Sequence, residues 1–280
     1  MRVAVYTASN ESENRVLQAF YDGCPVEDKV ITDLDNYEPS DVAVVFGTYK
    51  KQVPISYRRG NVVHQQKASG KTTVILETGY LNRGSGPDHH YAAGLNGLNG
   101  RAEFHNENSP GDRAEQFRHL VKPWRTDGKH VLLCGQVPWD TSVDHIDFTK
   151  WASRTALSLR TDRPIIYRPH PLVNTRLYSS NSSEHPYGTT ISKNQLLAAD
   201  LEDCWVVVTF SSNSAVEAAI AGIPVIAEDE GSMASAIANG SGEVNNPRML
   251  DRTQWLNNLC YCQWTPKEMA EGSTWNQLFR

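Results

Sequence analysis

Short apolar runs alternate with amphipathic segments along this chain, and the alternation occurs twice. Arg2–Thr7 reads as a first strand. Glu13–Tyr21 then puts Val16, Leu17 and Phe20 at helical spacing behind the capping candidates Ser9 and Ser12. Asp41–Phe46 is an apolar strand stopped by Gly47, Pro54 opens a helical segment that runs through Ser69 to Gly70, and Lys71–Glu77 is the next strand. From Thr78 to Pro110 periodicity lapses into a glycine-punctuated segment, which reads as a long irregular loop of the kind that often carries function. Ala114–Trp124 reads as helix, and the polar Pro/Gly stretch Lys122–Gly128 as a boundary. Beyond it, strands are expected at His130–Cys134, Pro164–Tyr167, Trp205–Thr209 and Pro224–Ala227. The helices expected among and after them are Ile146–Leu159, Ser192–Ala199, Asn213–Ala221, Thr253–Cys262 and Pro266–Ala270, with Ser179–Thr190 a flexible loop. Strand alternating with helix implies parallel sheets covered on both faces. The expected fold is therefore α/β, with two Rossmann-like domains facing a cleft. Residues 1–125 would form the first and 126–280 the second, the last helix packing back on the first.

Composition narrows the class. With 39% hydrophobic and 21% charged residues, the 280-residue chain has the make-up of a soluble globular protein. Met1–Tyr6 runs straight into polar sequence, and no apolar run approaches the roughly 18 residues of a membrane span, so a cytoplasmic location without membrane contact is expected (host cytoplasm for a phage protein). Cys24, Cys134, Cys204, Cys260 and Cys262 form no CxxC pair and read as buried small side chains in a reducing compartment. Nothing in the sequence sets an oligomeric state. Residues 1–125 hold 15 basic and 15 acidic residues, so the 12 and 17 of the remainder carry the whole net charge of −5. Within the neutral half, Lys50, Lys51, Arg58, Arg59, Lys67 and Lys71 share a window without acidic residues, interleaved with Tyr49, Tyr57 and His64. That is a candidate positive surface.

Three polar groups interrupt the apolar strands of the second half. Ser211-Ser-Asn-Ser214 stands between a strand and a helix, where hydroxyls and unsatisfied N–H groups suit an anion; a simple cap by Ser212 or Asn213 is the other reading, and Glu217 lies one turn on. His170 is held between Pro169 and Pro171 beside the permanent charge of Arg168, a pair suited to a leaving phosphate. Asp140 ends Gln136-Val-Pro-Trp-Asp140 in a strand-end loop, where a carboxylate serves as base or nucleophile or simply forms a turn with Thr141 and Ser142. Asp144 and Asp147 compete with it. His89-His90 lacks a further ligand at supportive spacing, and no metal is expected. Neither GxGxxG nor a Walker sequence is present, which argues against a dinucleotide dehydrogenase or an NTPase.

In combination, Gln136-Val-Pro-Trp-Asp140 resembles the QxxxD motif, and His170-Pro171 the HP motif, of bacterial Kdo transferases that build capsule and lipopolysaccharide linkers. Ser211–Ala218 followed by Gly222-Ile-Pro-Val225 resembles the donor-site segment of those and other two-Rossmann (GT-B) glycosyltransferases. The resemblance implies Asp140 and His170 as catalytic residues, and Gln136, Arg168, Ser211, Ser212, Asn213 and Glu217 around a UDP- or CMP-linked sugar. No bound cofactor is implied. Glu77–Arg83 and Gly94–Arg101 more weakly resemble phage-type enzymes that glycosylate hydroxymethylated pyrimidines in DNA. For a DNA acceptor the 50–71 window would contact phosphates, with Tyr49, Tyr57, Tyr80 or Tyr91 available to stack a flipped base, and the expected acceptor-binding residues are Tyr80, Asn82, Arg83, Arg58, Arg59 and Lys67. The expected activity is sugar transfer to a 5-hydroxymethylpyrimidine base. The alternatives are Kdo-type or other transfer to a glycan or lipid-linked sugar, and a nucleotide-binding module or sugar-nucleotide epimerase.

Overall fold

Val3–Tyr6, four consecutive buried residues, form β1 of a computed structural model that describes residues 1–48, 56–174 and 185–280. Helix α1 (Glu11–Gly23) follows and buries Val16, Leu17 and Phe20. Its cap is Asn10, whose Oδ1 accepts the Glu13 N–H at 2.8 Å; Ser9 and Ser12 do not cap, and the Ser12 hydroxyl donates to the same oxygen. Strands β2 (Lys29–Thr32) and β3 (Val42–Phe46), helix α2 (Ser56–Ala68) and strand β4 (Thr72–Thr78) come next. Tyr49, Lys50, Lys51 and Pro54 lie outside the described residues. The segment expected to be irregular contains β5 (Tyr91–Leu95), fully buried and antiparallel to β4, with Glu77 opposite Ala92. Ala-Ala-Gly carries little strand propensity, but a Cβ on Gly94 would stand 2.6 Å from the Ala102 side chain and 2.8 Å from Phe104, so close packing selects the glycine.

The helix expected over Ala114–Trp124 is reduced to one turn, α3 (Glu115–Arg118). The chain beyond it is bound to the end of a later helix, with Lys122 N–H donating to Ile220 O and Arg125 N–H to Gly222 O. Then follow β6 (His130–Cys134), α4 (Phe148–Ser158), β7 (Ile165–Arg168), β8 (Thr189–Ile191), α5 (Leu197–Asp200), β9 (Cys204–Thr209), α6 (Ser214–Ile220) and β10 (Val225–Ala227). Ser192–Leu196 is not helical as expected, because the Ser192 hydroxyl and Asn194 amide are turned onto the Asp200 carboxylate. Helix α7 (Thr253–Cys260), strand β11 (Gln263–Trp264) and helices α8 (Pro266–Ala270) and α9 (Ser273–Leu278) end the chain.

Two units result, Met1–Ala114 with Leu256–Arg280, and Glu115–Trp255. The first holds a sheet ordered β11-β5-β4-β3-β1-β2, and the second a sheet ordered β10-β9-β6-β7-β8, parallel throughout. Both are Rossmann-like α/β units. The C-terminal residues Trp264, Met269, Trp275 and Leu278 share one core with Val3, Phe20 and Val44. In the second sheet the chain runs from β6 to β7 and β8 on one side, then returns to add β9 and β10 on the other. The order therefore reverses between β6 and β9; in the first sheet it reverses between β1 and β3. All five cysteines are free and buried, and burial raises the thiols of Cys134 and Cys204 to about 12. No helix among the described residues is long and apolar enough to cross a membrane.

Candidate functional site

The loops after β6 and β9 meet at this reversal point. Gln136 and Ser211, both buried, are joined twice: the Ser211 N–H donates to Gln136 Oε1 at 2.7 Å, and Gln136 Nε2 donates to the Ser211 hydroxyl at 3.1 Å. A longer contact of 3.4 Å runs from Gln136 Nε2 to the Ser142 hydroxyl, which donates to Asp140 Oδ1 at 3.0 Å. Asp140 Oδ1 also accepts the Ser142 N–H at 3.1 Å, so Asp140 caps the single 3-10 turn Thr141–Val143. The capping turn and the strand-end carboxylate are thus the same residue, and four side chains form one chain of hydrogen bonds across two strand ends. Gly135 permits this crowding, since a Cβ there would stand 2.7 Å from the Tyr167 hydroxyl.

His170 lies just beyond β7, which pairs with β6 through Cys134 and Arg168. Its Nδ1 accepts the Leu172 N–H at 3.2 Å, so in the neutral ring the proton resides on Nε2. Arg168 departs from expectation. Its guanidinium is paired with the buried Asp200 and donates to Asn194 O at 3.0 Å and Gln195 O at 2.9 Å, with 11% of the side chain exposed. That charge holds the 192–200 turn against β7.

The Ser-rich turn divides its members. Ser211 belongs to the Gln136 pair, whereas the Ser212 hydroxyl accepts the Ser214 N–H at 3.2 Å and so takes the capping role. Asn213 provides no side-chain cap to α6; its amide donates to Glu217 Oε1 at 3.3 Å, on the exposed face of the helix. Buried Thr209 adds support, its Oγ1 accepting the Ser212 N–H at 3.3 Å. Among the described residues no group of His, Cys, Asp and Glu gathers in a way that would hold a metal ion.

Solved structures that align along most of the chain include two Kdo transferases. The beta Kdo 2,7 transferase of Thermosulfurimonas dismutans KpsC aligns over 97% of this chain and 98% of its own, with a TM-score of 0.57 and 14% identity. The beta Kdo 2,4 transferase of the same organism's KpsC aligns over 92% and 89%, with a TM-score of 0.56 and 15% identity. The chain shares the fold of these Kdo transferases. No family model matches it, and no curated protein does.

In the first unit the expected acceptor residues differ in exposure and pairing. Tyr80 is 5% exposed, and burial raises its hydroxyl pKa well above the ordinary value, so its ring is core and not a platform for a flipped base. Tyr91 is buried as well. Asn82 adopts a left-handed backbone and its amide donates to Asp88 O at 3.0 Å, shaping a turn, while Arg83 is exposed. Arg58 pairs with Asp35 at 2.6 Å, Arg59 with Glu13, and Lys71 with Asp41 at 2.6 Å. Lys67 is exposed in the last turn of α2, at the opposite end of the helix from Arg58 and Arg59. The described part of the basic window is thus largely neutralised and split between two ends. The sequence marks Ser142 as a turn partner of Asp140 but singles out neither Gly135, Thr209 nor Asp200, of which Gly135, next to Gln136 at a strand end, carries a signal.

Proposed function

We propose that this protein transfers a sugar from a nucleotide-linked donor to an acceptor hydroxyl. The observation that supports this most is the Gln136–Ser211 pair at the reversal point of an all-parallel sheet, the position at which open α/β sheets bind ligands. The three segments that resemble Kdo-transferase motifs follow three adjacent strands, β9, β6 and β7, in a chain that shares the Kdo-transferase fold. In this reading Ser211, oriented by Gln136, and the nearby Ser212 hold the nucleotide. His170 presents its Nε2–H to the departing phosphate, and Asp140 is the carboxylate of the reaction centre, as base toward the acceptor or as nucleophile toward the anomeric carbon. Arg168 acts through the loop it supports.

For the acceptor we favour a glycan hydroxyl over a 5-hydroxymethylpyrimidine in DNA. Three of the window's six cations, Arg58, Arg59 and Lys71, are paired with carboxylates, which reduces the unopposed positive charge that phosphate-backbone binding requires. The test is incubation with CMP-linked Kdo and a panel of UDP-sugars, offered saccharide acceptors and hydroxymethylated DNA in parallel, with products identified by mass spectrometry. Transfer to a saccharide, abolished by Asp140→Ala, is expected. A glycosylated nucleoside would reverse the acceptor assignment, and conversion of a UDP-sugar to its epimer without transfer would replace transferase by epimerase.

A further inference from the structure

The reversal point of the first sheet carries a second polar cluster, separate from the donor-site residues. Glu13 comes from the first turn of α1, which starts beyond the carboxyl end of β1, and Arg59 from the first described turn of α2. Glu77 lies near the carboxyl end of β4. Arg59 and Glu77 meet at Gly47, which follows β3 and donates its N–H to Leu76 O at 2.7 Å, next to Glu77, and Glu13 joins them through its ion pair with Arg59. A Cβ on Gly47 would stand 3.1 Å from Arg59 Nη1 and 3.6 Å from Glu77 Oε2, so both charged ends approach the same bare stretch of backbone. Gly47 has φ +70, so a side chain there is disfavoured by conformation as well as by space.

The cluster is built around a guanidinium that is not fully used. Arg59 is 11% exposed and its Nη2 pairs with Glu13, but its Nε is buried with no hydrogen-bond partner. A buried guanidinium N–H without an acceptor costs free energy; the end of the guanidinium turned toward Gly47 is Nη1. Glu77 Oε1 accepts the Thr78 N–H at 2.9 Å, which fixes the carboxylate and leaves Oε2 toward Gly47. Two carboxylates and one guanidinium carry a formal charge of −1. Such a site disfavours a phosphate or any polyanion and suits a group that both donates and accepts, since each carboxylate accepts from an O–H while the guanidinium donates to the oxygen.

We propose that Glu13, Arg59 and Glu77 form a subsite for the vicinal hydroxyls of a neutral sugar, the acceptor end of the reaction. The assignment of this sugar as acceptor rests on the transferase reading; its binding does not. Saturation-transfer NMR on the full chain, with a panel of methyl hexopyranosides at millimolar concentration and glucose 6-phosphate as the anionic counterpart, tests it. CMP and UDP binding is measured on the same samples. Wild-type protein is expected to bind at least one neutral glycoside in preference to the phosphate. Glu77→Gln, which keeps the acceptor for Thr78 N–H, is expected to weaken the glycoside about tenfold or more and to leave nucleotide affinity unchanged. Protein that binds a nucleotide but no glycoside, or a glycoside with equal affinity after Glu77→Gln, overturns the subsite and leaves the donor site standing. Binding of glycoside without either nucleotide supports the subsite and overturns the donor reading.

Discussion

Gln136 bears more of the proposed donor site than its side chain alone suggests. Both ends of its amide are engaged by Ser211, one through a backbone N–H and one through a hydroxyl, and both partners are buried. Gln136→Ala therefore leaves an N–H inside the protein with no acceptor, at a cost of about 1–3 kcal/mol. It also frees the Ser211 turn from the β6 loop. The expected outcome is a lower urea midpoint together with a fall of about tenfold or more in CMP or UDP affinity by calorimetry. Loss of stability with unaltered nucleotide affinity would make the pair structural only. Thr209→Val is the complementary change, removing the oxygen that accepts the Ser212 N–H while keeping the volume of the side chain. It is expected to weaken nucleotide binding less than Gln136→Ala, because the Ser211 pair stays in place.

At the scale of elements, what could be read from sequence depended on how much of each element's stability is local. β1, β3, β4, β6 and β9 are runs of four to seven residues that each carry two or three of Val, Ile and Leu, and the burial of those positions follows from composition. Strands β2 (Lys-Val-Ile-Thr), β5 (Tyr-Ala-Ala-Gly-Leu), β8 (Thr-Thr-Ile) and β11 (Gln-Trp) are strands because a neighbour offers a ladder, which no local pattern reports. The same divide separates the candidate site residues. Gln136, Asp140, His170 and Ser211 are legible as strand-end polar groups because each follows a strand. The diversion of Arg168 was not, because Asp200 stands 32 positions away. Gly222 combines a conformational and a steric requirement. It ends α6 at φ +79, with Ile223 N–H donating to Ala218 O at 2.9 Å, and a Cβ there would stand 2.1 Å from the Pro123 carbonyl oxygen. Left-handed backbone alone costs an L-residue about 1–2 kcal/mol, and the clash would also lift the 122–125 segment. Gly222→Ala is thus expected to destabilise by about 2 kcal/mol or more in chemical denaturation; a smaller loss would mean that Pro123 moves aside easily.

At the scale of the whole chain, the last 25 residues return to the first unit, and Arg113 fastens them there. Its guanidinium pairs with Glu268, donates to Cys260 O at 3.0 Å and Gln263 O at 2.9 Å, and lies 3.9 Å from the Trp264 ring centroid. Burial alone would raise the Glu268 pKa, but the hydrogen bonds and charge of Arg113, with the Thr265 N–H, outweigh it and hold the carboxyl below 4.5. A depressed folded-state pKa contributes stability that is complete above the unfolded value and lost as pH falls through the folded one. The stability gap between wild type and Glu268→Gln should therefore be widest at neutral pH and close below about pH 4; a gap independent of pH would exclude the ion pair as its source. Removing the segment itself has a larger consequence. Truncation after Trp255 deletes Trp264, Met269, Trp275 and Leu278, all buried in the core that covers Val3, Phe20 and Val44. At about 1.5–3 kcal/mol for each large apolar side chain, their loss matches the roughly 5–15 kcal/mol by which a domain is stable. It also strips β11 from β5, leaving Tyr91–Leu95 at a sheet edge. The second unit keeps its entire sheet and the Gln136–Ser211 pair. The truncated chain is expected to show one cooperative thermal transition, protease sensitivity confined to residues 1–114, and CMP or UDP binding within a few-fold of the full chain. Loss of nucleotide binding together with the first unit would mean that the two units do not fold independently.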